Sequence, residues 1–236
     1  MFATVFFIIV FLTNFSIVGT EMRLKRLSTH VLYCENFLPQ KMLDDVYMDI
    51  LQNRTKFDLE QWGDGSNTFD GVSVQFLNHN CGGMGFWIGP EDQQKMERTP
   101  VLSLNEYFFH QGIISFATQQ KNMVFVDTIT RPMSFSVHYI AYNHGGYYNW
   151  HKDKIDGTIF TFNLVLNKGN KLKGGDMLFM DDGEMFEIPN QDNIMVAFPS
   201  WVDHAITPLE SDDGKDVPFL EQRFSIQYQC SLDGQK

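Results

Sequence analysis

The stretch KNMVFVDTITRPMSFSVHYIAYNHGGYYNWHKDKIDGTIFTFNLVL, residues 121–166, decides the fold. It contains short runs rich in valine, isoleucine, threonine and aromatic residues, and apolar and polar side chains alternate along parts of them. Such runs are typical of β-strands, because successive side chains of a strand point to opposite faces of a sheet. Glycine, asparagine, aspartate and proline separate the runs, as expected of turns. The stretch therefore predicts consecutive strands with short connections.

Similar runs continue to the end of the chain. The predicted strands are 123–129, 133–142, 157–166, 175–180, 184–188, 193–199, 204–209 and 223–229. Many short strands at this spacing indicate an all-β sandwich or barrel rather than alternating βαβ units. With helices expected upstream, the pattern predicts a mainly β chain: a jelly roll with N-terminal helices packed against it.

Two helices are expected before the strands. Apolar residues between Cys34 and Gln52 recur at helical spacing, with acidic residues opposite them. A second helix is predicted between Thr99 and Gln120. We therefore divide the chain into an apolar segment, 1–21, and a single domain, 22–236. Within that domain we expect a helical part at 22–121 and the jelly-roll core at 122–236.

Net charge and cysteine spacing limit the expected partners, the kinds of cysteine site and the cellular compartment. The net charge is −11, and a nucleic-acid-binding protein normally presents a basic face, so nucleic acid is not an expected partner. The cysteines, Cys34, Cys81 and Cys230, lack the spacing of a disulfide framework or a zinc-thiolate site. Their usage favours a reducing compartment and hence the cytoplasm.

The apolar N-terminal segment instead keeps a secretory or membrane location open. FATVFFIIVFL, residues 2–12, is apolar but short for crossing a bilayer, and no basic residue precedes it as in a typical signal peptide. Three interpretations stay open: a signal or anchor for the secretory pathway or a membrane, an apolar element packed on the domain, and residues upstream of a true start at Met22. Membrane contact is expected only if the segment is an anchor.

His151 and Asp153 form a candidate metal-binding pair. Residues two apart on a strand share a face, so an imidazole and a carboxylate can converge on one ion. His204 is the best candidate for a third ligand. Two histidines and one carboxylate occupy one face of an octahedral iron and leave the other face open. Taken alone, the His-x-Asp spacing fits solvated loop residues equally well.

The flanking segments resemble the prolyl 4-hydroxylase-like branch of the 2-oxoglutarate/iron(II) dioxygenases. In that family the motif Tyr-x-x-Gly-x-x-Tyr-x-x-His-x-Asp is followed by a Gly-Gly turn, a Phe-Pro segment before the distal His, and a strand that opens with a basic residue. The matching residues and segments here are Tyr142, Gly145, Tyr148, His151, Asp153, Gly174-Gly175, 198–204 and 223–229. The resemblance covers residues 134–229 and implies a double-stranded β-helix core with His151, Asp153 and His204 as iron ligands.

The resemblance also implies the reaction. The cofactors and co-substrates would be Fe(II), 2-oxoglutarate and O2, with ascorbate as a further candidate. A prolyl or other peptide side chain would be hydroxylated while 2-oxoglutarate is converted to succinate and CO2. Related halogenases lack the carboxylate ligand, so Asp153 favours hydroxylation.

Four further residues are expected to bind 2-oxoglutarate. Arg223 opens the last predicted strand and suits the distal carboxylate, because a guanidinium binds a carboxylate in a bidentate manner. The family spacing falls nearer Lys215, which stays open as an alternative. Tyr142 is expected to donate a hydrogen bond to the oxoacid. Thr161 and Asn163 alternate onto one face of their strand, where either could add a contact.

Two other functions fit the same residues. The same chemistry could act on a free amino acid or another small molecule. Alternatively, the chain could be a non-catalytic jelly roll that binds a carbohydrate or a protein partner and has a coincidental histidine cluster. A binding domain would have no use for the His-Asp-His set combined with Arg223.

Overall fold

A computed structural model of the chain describes residues 22–57, 67–69, 72–74, 82–94, 97–104, 133–153 and 157–232. The strands are β1 (Arg23–Arg26), β2 (Leu32–Glu35), β3 (Asn67–Phe69), β4 (Val72–Val74), β5 (Met84–Ile88), β6 (Met133–Tyr142), β7 (Tyr148–His151), β8 (Thr158–Leu166), β9 (Leu172–Gly174), β10 (Met177–Asp181), β11 (Glu184–Ile188), β12 (Ile194–Pro199), β13 (Asp203–Ile206), β14 (Leu209–Ser211) and β15 (Arg223–Leu232). The helices are α1 (Gln40–Gln52), α2 (Arg54–Phe57), α3 (Pro90–Gln93) and a 3-10 turn (Phe219–Glu221). Residues 100–104 are also helical.

Two antiparallel sheets form the core. The large sheet has seven strands in the order β1-β2-β12-β8-β15-β6-β5, and the small sheet has four in the order β11-β10-β13-β7. Side chains from both sheets meet in one apolar cluster, which includes Ile140, Val165, Phe179 and Phe198. This arrangement confirms the predicted mainly β jelly roll.

The large sheet is buried on both faces because its side chains alternate between two apolar layers. On β15, Phe224, Ile226 and Tyr228 pack in a second cluster that also contains residues of α1. We call that face the outer face, and the face towards the small sheet the inner face. The residues of β15 that alternate with Phe224, Ile226 and Tyr228 therefore point to the inner face. Arg223, at the start of the strand, points to the same face.

α1 covers the outer face with its apolar side and is tied there by a buried carboxylate. Leu43, Val46 and Ile50 lie in the outer cluster. Asp49 Oδ2 accepts hydrogen bonds from the Tyr139 hydroxyl (3.0 Å), the Thr99 hydroxyl (3.2 Å) and the Val101 backbone N–H (3.3 Å). These bonds join α1, β6 and the start of the 100–104 helix at one point.

The predicted helix from Cys34 to Gln52 is wrong at its beginning. Residues 32–35 form β2, whose Leu32 and Cys34 are buried in alternation and pair with β12. The helix begins at Gln40, directly after Pro39, whose ring fixes φ and removes a backbone donor. Because this strand completes the large sheet, the segment predicted as helical (22–121) contains β1–β5 as well as helices.

Other predictions fall partly outside the described residues. Residues 100–104 begin the second predicted helix, whereas 105–120, the predicted strand at 123–129 and the apolar segment 1–21 lie outside them. None of the helices in the described ranges is long and apolar enough to cross a membrane.

Candidate metal centre

The two histidines predicted as ligands stand opposite each other in the small sheet. His151 ends β7, His204 lies in β13, and the two residues are direct partners in the antiparallel ladder. Directly opposed side chains share a face, and the two ring centres are 4.1 Å apart. The ladder therefore fixes the spacing of the pair.

Asp153 completes the cluster from the segment after β7. Its Oδ1 lies 3.6 Å from His151 Nε2 and 3.6 Å from His204 Nε2. All three ligand atoms lie within 4.8 Å of one another, and Asp153 and His204 are buried. The structure thus brings together the three residues that the sequence placed in two separate segments.

Backbone carbonyls orient both rings. His151 Nδ1 lies 2.8 Å from the Asn149 carbonyl oxygen, and His204 Nδ1 lies 3.1 Å from that of Val202. A carbonyl only accepts, so each Nδ1 carries the proton and each Nε2 presents its lone pair. Both Nε2 atoms are buried and have no hydrogen-bond partner within the described ranges. Two lone pairs and a carboxylate oxygen aimed at one point fit a divalent cation, and this donor set suits Fe(II).

Aromatic rings pack around the histidines. Tyr148 stacks on His151 with ring centres 3.7 Å apart, and Phe198 lies 4.6 Å from His204. Burial, with the neighbouring His204 adding to it, lowers the pKa of His151 to about 4. The imidazole is therefore neutral at physiological pH, as metal binding requires.

Thr161 has a partner that the sequence did not suggest. Its hydroxyl donates a 2.7 Å hydrogen bond to Asp153 Oδ2. This bond leaves Oδ1 facing the two histidines. Thr161 was predicted to contact the oxoacid, whereas the structure places its hydroxyl on the candidate metal ligand.

Arg223 and Tyr142 are cross-strand partners on the inner face of the large sheet. Both are fully buried, and the guanidinium carbon lies 5.1 Å from the centre of the Tyr142 ring. Arg223 Nε donates to the Gly175 carbonyl (3.0 Å) and Nη1 to the Ser225 hydroxyl (2.8 Å). Gly175 has φ +74 and its Cβ position would lie 3.0 Å from Arg223 Cδ, so glycine permits both the turn and this close approach.

Asn163 and Lys215 occupy contrasting environments. Asn163 is fully buried on β8, its Nδ2 lies 3.3 Å from Met177 Sδ, and its Oδ1 has no hydrogen-bond partner within the described part of the chain. Lys215 is exposed in the connection between β14 and β15.

His138, to which the sequence analysis assigned no role, also faces the inside. It pairs with Gln227 on β15, and its ring centre lies 6.0 Å from that of Trp87. Burial lowers its pKa to about 4, and the Asp153 charge acts in the opposite direction. Its alternation with Tyr142 on β6 was the sequence signal for this orientation.

Residues 137–228 match the family described as the 2OG-Fe(II) oxygenase superfamily. No curated protein sequence is significantly similar to the chain. The family match spans the candidate ligands together with Tyr142, Asn163 and Arg223.

Several solved structures share the fold. A prolyl-4-hydroxylase from Pseudomonas putida has a TM-score of 0.54 at 18% identity, with 88% of this chain and 96% of that chain covered. A Trichoplax adhaerens prolyl hydroxylase, in complex with a hypoxia inducible factor oxygen degradation domain peptide fragment, has a TM-score of 0.53 at 14% identity, covering 88% and 86%. A Phytophthora capsici prolyl 4-hydroxylase has a TM-score of 0.51 at 12% identity, covering 88% and 60%.

Proposed function

We propose that the protein hydroxylates a prolyl or other peptide side chain, using Fe(II), 2-oxoglutarate and O2, because residues 137–228 match the 2OG-Fe(II) oxygenase superfamily. For each C–H bond converted to C–OH, one O2 is consumed and one 2-oxoglutarate becomes succinate and CO2. The iron supplies the oxygen activation. The protein's own residues hold the metal, orient the co-substrate and present the substrate.

The observation that carries the proposal is the pair of buried histidine Nε2 atoms beside Asp153. A buried nitrogen lone pair without a hydrogen-bond donor is costly, so its presence needs an explanation. Two such atoms, each 3.6 Å from the same carboxylate oxygen, are explained by a cation bound between them. In this proposal His151, Asp153 and His204 are the three protein ligands, and the remaining coordination positions are open.

Arg223 is proposed to bind the distal carboxylate of 2-oxoglutarate. Its guanidinium is fully buried on the inner face, whereas Lys215 is exposed. A buried cation is stabilised by an anion in the same low-dielectric space, and a planar guanidinium matches a carboxylate. These features support Arg223 over Lys215.

Tyr142 and Asn163 are proposed as further contacts to the co-substrate. Tyr142 packs on the Arg223 guanidinium, which places its hydroxyl-bearing ring beside the proposed carboxylate position. Asn163 keeps its amide on the inner face with a thioether as the only hydrogen-bond partner found in the described ranges. Thr161 is instead proposed as a positioning residue, since its hydroxyl holds Asp153.

A peptide is the proposed substrate class. Support comes from the fold that the chain shares with prolyl hydroxylases, one of which was solved with a bound peptide. A free amino acid or other small molecule would use the same iron chemistry and is distinguished by the substrate assay below.

The proposal is tested by succinate release from 2-oxoglutarate with and without added Fe(II), together with a mass gain of one oxygen on peptides. We expect iron-dependent succinate from the natural protein and its loss in His151→Ala and Asp153→Ala. His144→Ala is a matched control, because His144 lies in the turn before β7 and outside the cluster. Absence of iron-dependent turnover with both peptides and small molecules would favour the non-catalytic binding domain.

A further inference from the structure

The inner face of β15 carries hydrogen-bonding side chains where a core strand would usually be apolar. The outward residues Phe224, Ile226, Tyr228 and Cys230 are all in the outer cluster. The inward residues are Arg223, Ser225, Gln227, Gln229 and Ser231. Arg223 at one end of this row is already assigned to the co-substrate. The glutamines have no role in the mechanism so far.

Gln229 lies at the metal end of the row. It pairs with Thr161 on β8 and with Ser136 on β6. Thr161 holds Asp153, so Gln229 is the lateral neighbour of the residue that anchors a proposed metal ligand. Neighbouring strands are about 4.8 Å apart, which places the Gln229 side chain next to that of Thr161.

The side chain of Gln229 is mostly buried, but its amide atoms are not among the fully buried polar atoms that lack a hydrogen-bond partner. The residue is 6% exposed, and within the part of the chain that the structure describes its amide makes no hydrogen bond. The amide atoms therefore keep some access to the space at the site, where a ligand can form hydrogen bonds with them. An accessible carboxamide beside Thr161 is placed to bind a ligand that enters next to the metal centre.

The co-substrate does not explain Gln229. Arg223 and Gln229 are six residues apart on β15, which corresponds to about 20 Å along the strand. A 2-oxoglutarate held between Arg223 and the metal lies on the Arg223 side of Gln229. The oxoacid is also an anion, whereas a carboxamide offers one acceptor and one donor group, the pattern that complements another amide.

We infer that Gln229 binds an amide group of the primary substrate and so selects substrates in which a peptide bond or carboxamide lies close to the oxidised C–H bond. Ser136 stands beside it on β6 as a second hydrogen-bonding group. This inference rests on the proposed function, because it requires the metal to be the reaction centre.

The test compares Gln229→Leu with the natural protein on two probes. One probe is a library of random hexapeptides with acetylated N-termini and amidated C-termini, and the other is a mixture of the twenty free amino acids. Gln52→Leu makes the same chemical change at an exposed position of α1 and serves as the control. Oxygen incorporation, succinate released without any primary substrate, and the melting temperature of the metal-free protein are measured.

The expected result distinguishes a role of Gln229 in binding the primary substrate from a role in binding the metal or 2-oxoglutarate. Gln229→Leu should lower peptide hydroxylation about tenfold, the loss expected for one or two hydrogen bonds. Substrate-independent succinate release should stay within about twofold of the natural value, and the melting temperature should stay close to that of the natural protein. Gln52→Leu should match the natural protein in all three measurements.

Three results would overturn this inference alone. In one, Gln229→Leu hydroxylates peptides as well as the natural protein. In another, the natural protein oxidises free amino acids but no peptide, in which case the proposed iron chemistry stands and the amide selection fails. In the third, Gln229→Leu loses stability and substrate-independent turnover together, which would mean a structural role. A natural protein without iron-dependent succinate release would overturn both this inference and the proposed function.

Discussion

Thr161 on β8 donates a 2.7 Å hydrogen bond to Asp153 Oδ2, so a residue of the large sheet holds the carboxylate that follows β7 of the small sheet. Without this bond the carboxylate could rotate, and Oδ1 would no longer be fixed 3.6 Å from both histidine Nε2 atoms. The bond therefore links the two sheets at the proposed metal.

We expect Thr161→Val to weaken Fe(II) binding by about ten- to a hundredfold, the usual effect of losing a partner of a metal ligand. The change removes the donor but keeps the branched shape. Thr161→Ser retains the hydroxyl and should bind iron nearly as well as the natural protein. Anaerobic Fe(II) titration measures both affinities. Equal affinities for Val and Ser would show that the bond does not position Asp153.

Arg223→Gln should raise the KM for 2-oxoglutarate by at least about thirtyfold, because losing a buried charge–carboxylate contact costs about 2 kcal/mol or more. Lys215→Gln should leave that KM unchanged, since Lys215 is exposed. Succinate release at varied 2-oxoglutarate gives both values. Circular dichroism must show that Arg223→Gln remains folded, because Arg223 also bonds Gly175 and Ser225. The opposite ranking would assign the role to Lys215.

Tyr139→Phe should lower the free energy of unfolding by about 1.5–3 kcal/mol, the value typical of a hydrogen bond to a charged group. The lost hydroxyl donates to the buried Asp49, the carboxylate that joins α1 to β6. Tyr33→Phe alters a partly buried hydroxyl on β2 and should change stability by less than about 0.5 kcal/mol. Urea denaturation provides both numbers, and similar losses would contradict the special role of Asp49.

Asp181 should make the free energy of unfolding depend on pH. Burial opposes its ionisation, but hydrogen bonds from Ser28 and His30 outweigh burial and hold the pKa of Asp181 below its usual value. The folded state then binds fewer protons than the unfolded state, whose carboxyl has a pKa of about 3.9. The stabilisation is therefore present above that value and is lost as the pH falls through the lowered pKa.

Asp181→Asn should accordingly be less stable than the natural protein at pH 7, with a difference that narrows below about pH 4. Urea denaturation at several pH values measures it. Asp182→Asn is a suitable control, because Asp182 is exposed in the adjoining turn. A stability gap that is constant with pH would mean that the charge of Asp181 is not responsible.

Cys34 and Cys230 should resist alkylation in the folded protein. Burial raises the pKa of the Cys34 thiol to about 12 and that of Cys230 well above its ordinary value. The thiolate is the reactive form, so little is present at neutral pH. Treatment with iodoacetamide followed by peptide mass spectrometry should show modification of both residues only after unfolding. Rapid labelling of native Cys34 would show that β2 detaches from the sheet.

The strands were predictable where the sequence alternates strongly and the register is simple. The predicted strand at 133–142 matches β6, and the run at 223–229 lies within β15. β7 and β9 were not predicted, because they are short, contain glycine or polar residues, and are held mainly by their partners in the ladder. Cys34 was assigned to a helix because its neighbours in sequence favour one, whereas pairing with β12 decides its conformation.

The motifs predicted which residues form the candidate site, but not how these residues are held in place. Spacing identified His151, Asp153 and His204, but it did not reveal that carbonyls of Asn149 and Val202 fix the rings. The bond between Thr161 and Asp153 and the inward position of Gln229 depend on how β8 and β15 pair. Long-range register of this kind is not encoded in any short segment, so these relationships emerged only from the fold.

The direct pairing of His151 with His204 also has a consequence for how long the protein persists in a cell. Among the strands that the structure describes, β7 lies at the end of the small sheet and pairs with β13 alone. An ion bound by both histidines would act as a cross-link between these strands, and by mass action it would raise the free energy of unfolding as its concentration exceeds its dissociation constant. Iron supply would then set the lifetime of the folded chain as well as its catalytic turnover. When iron is scarce, fraying of β7 would be the first step of unfolding.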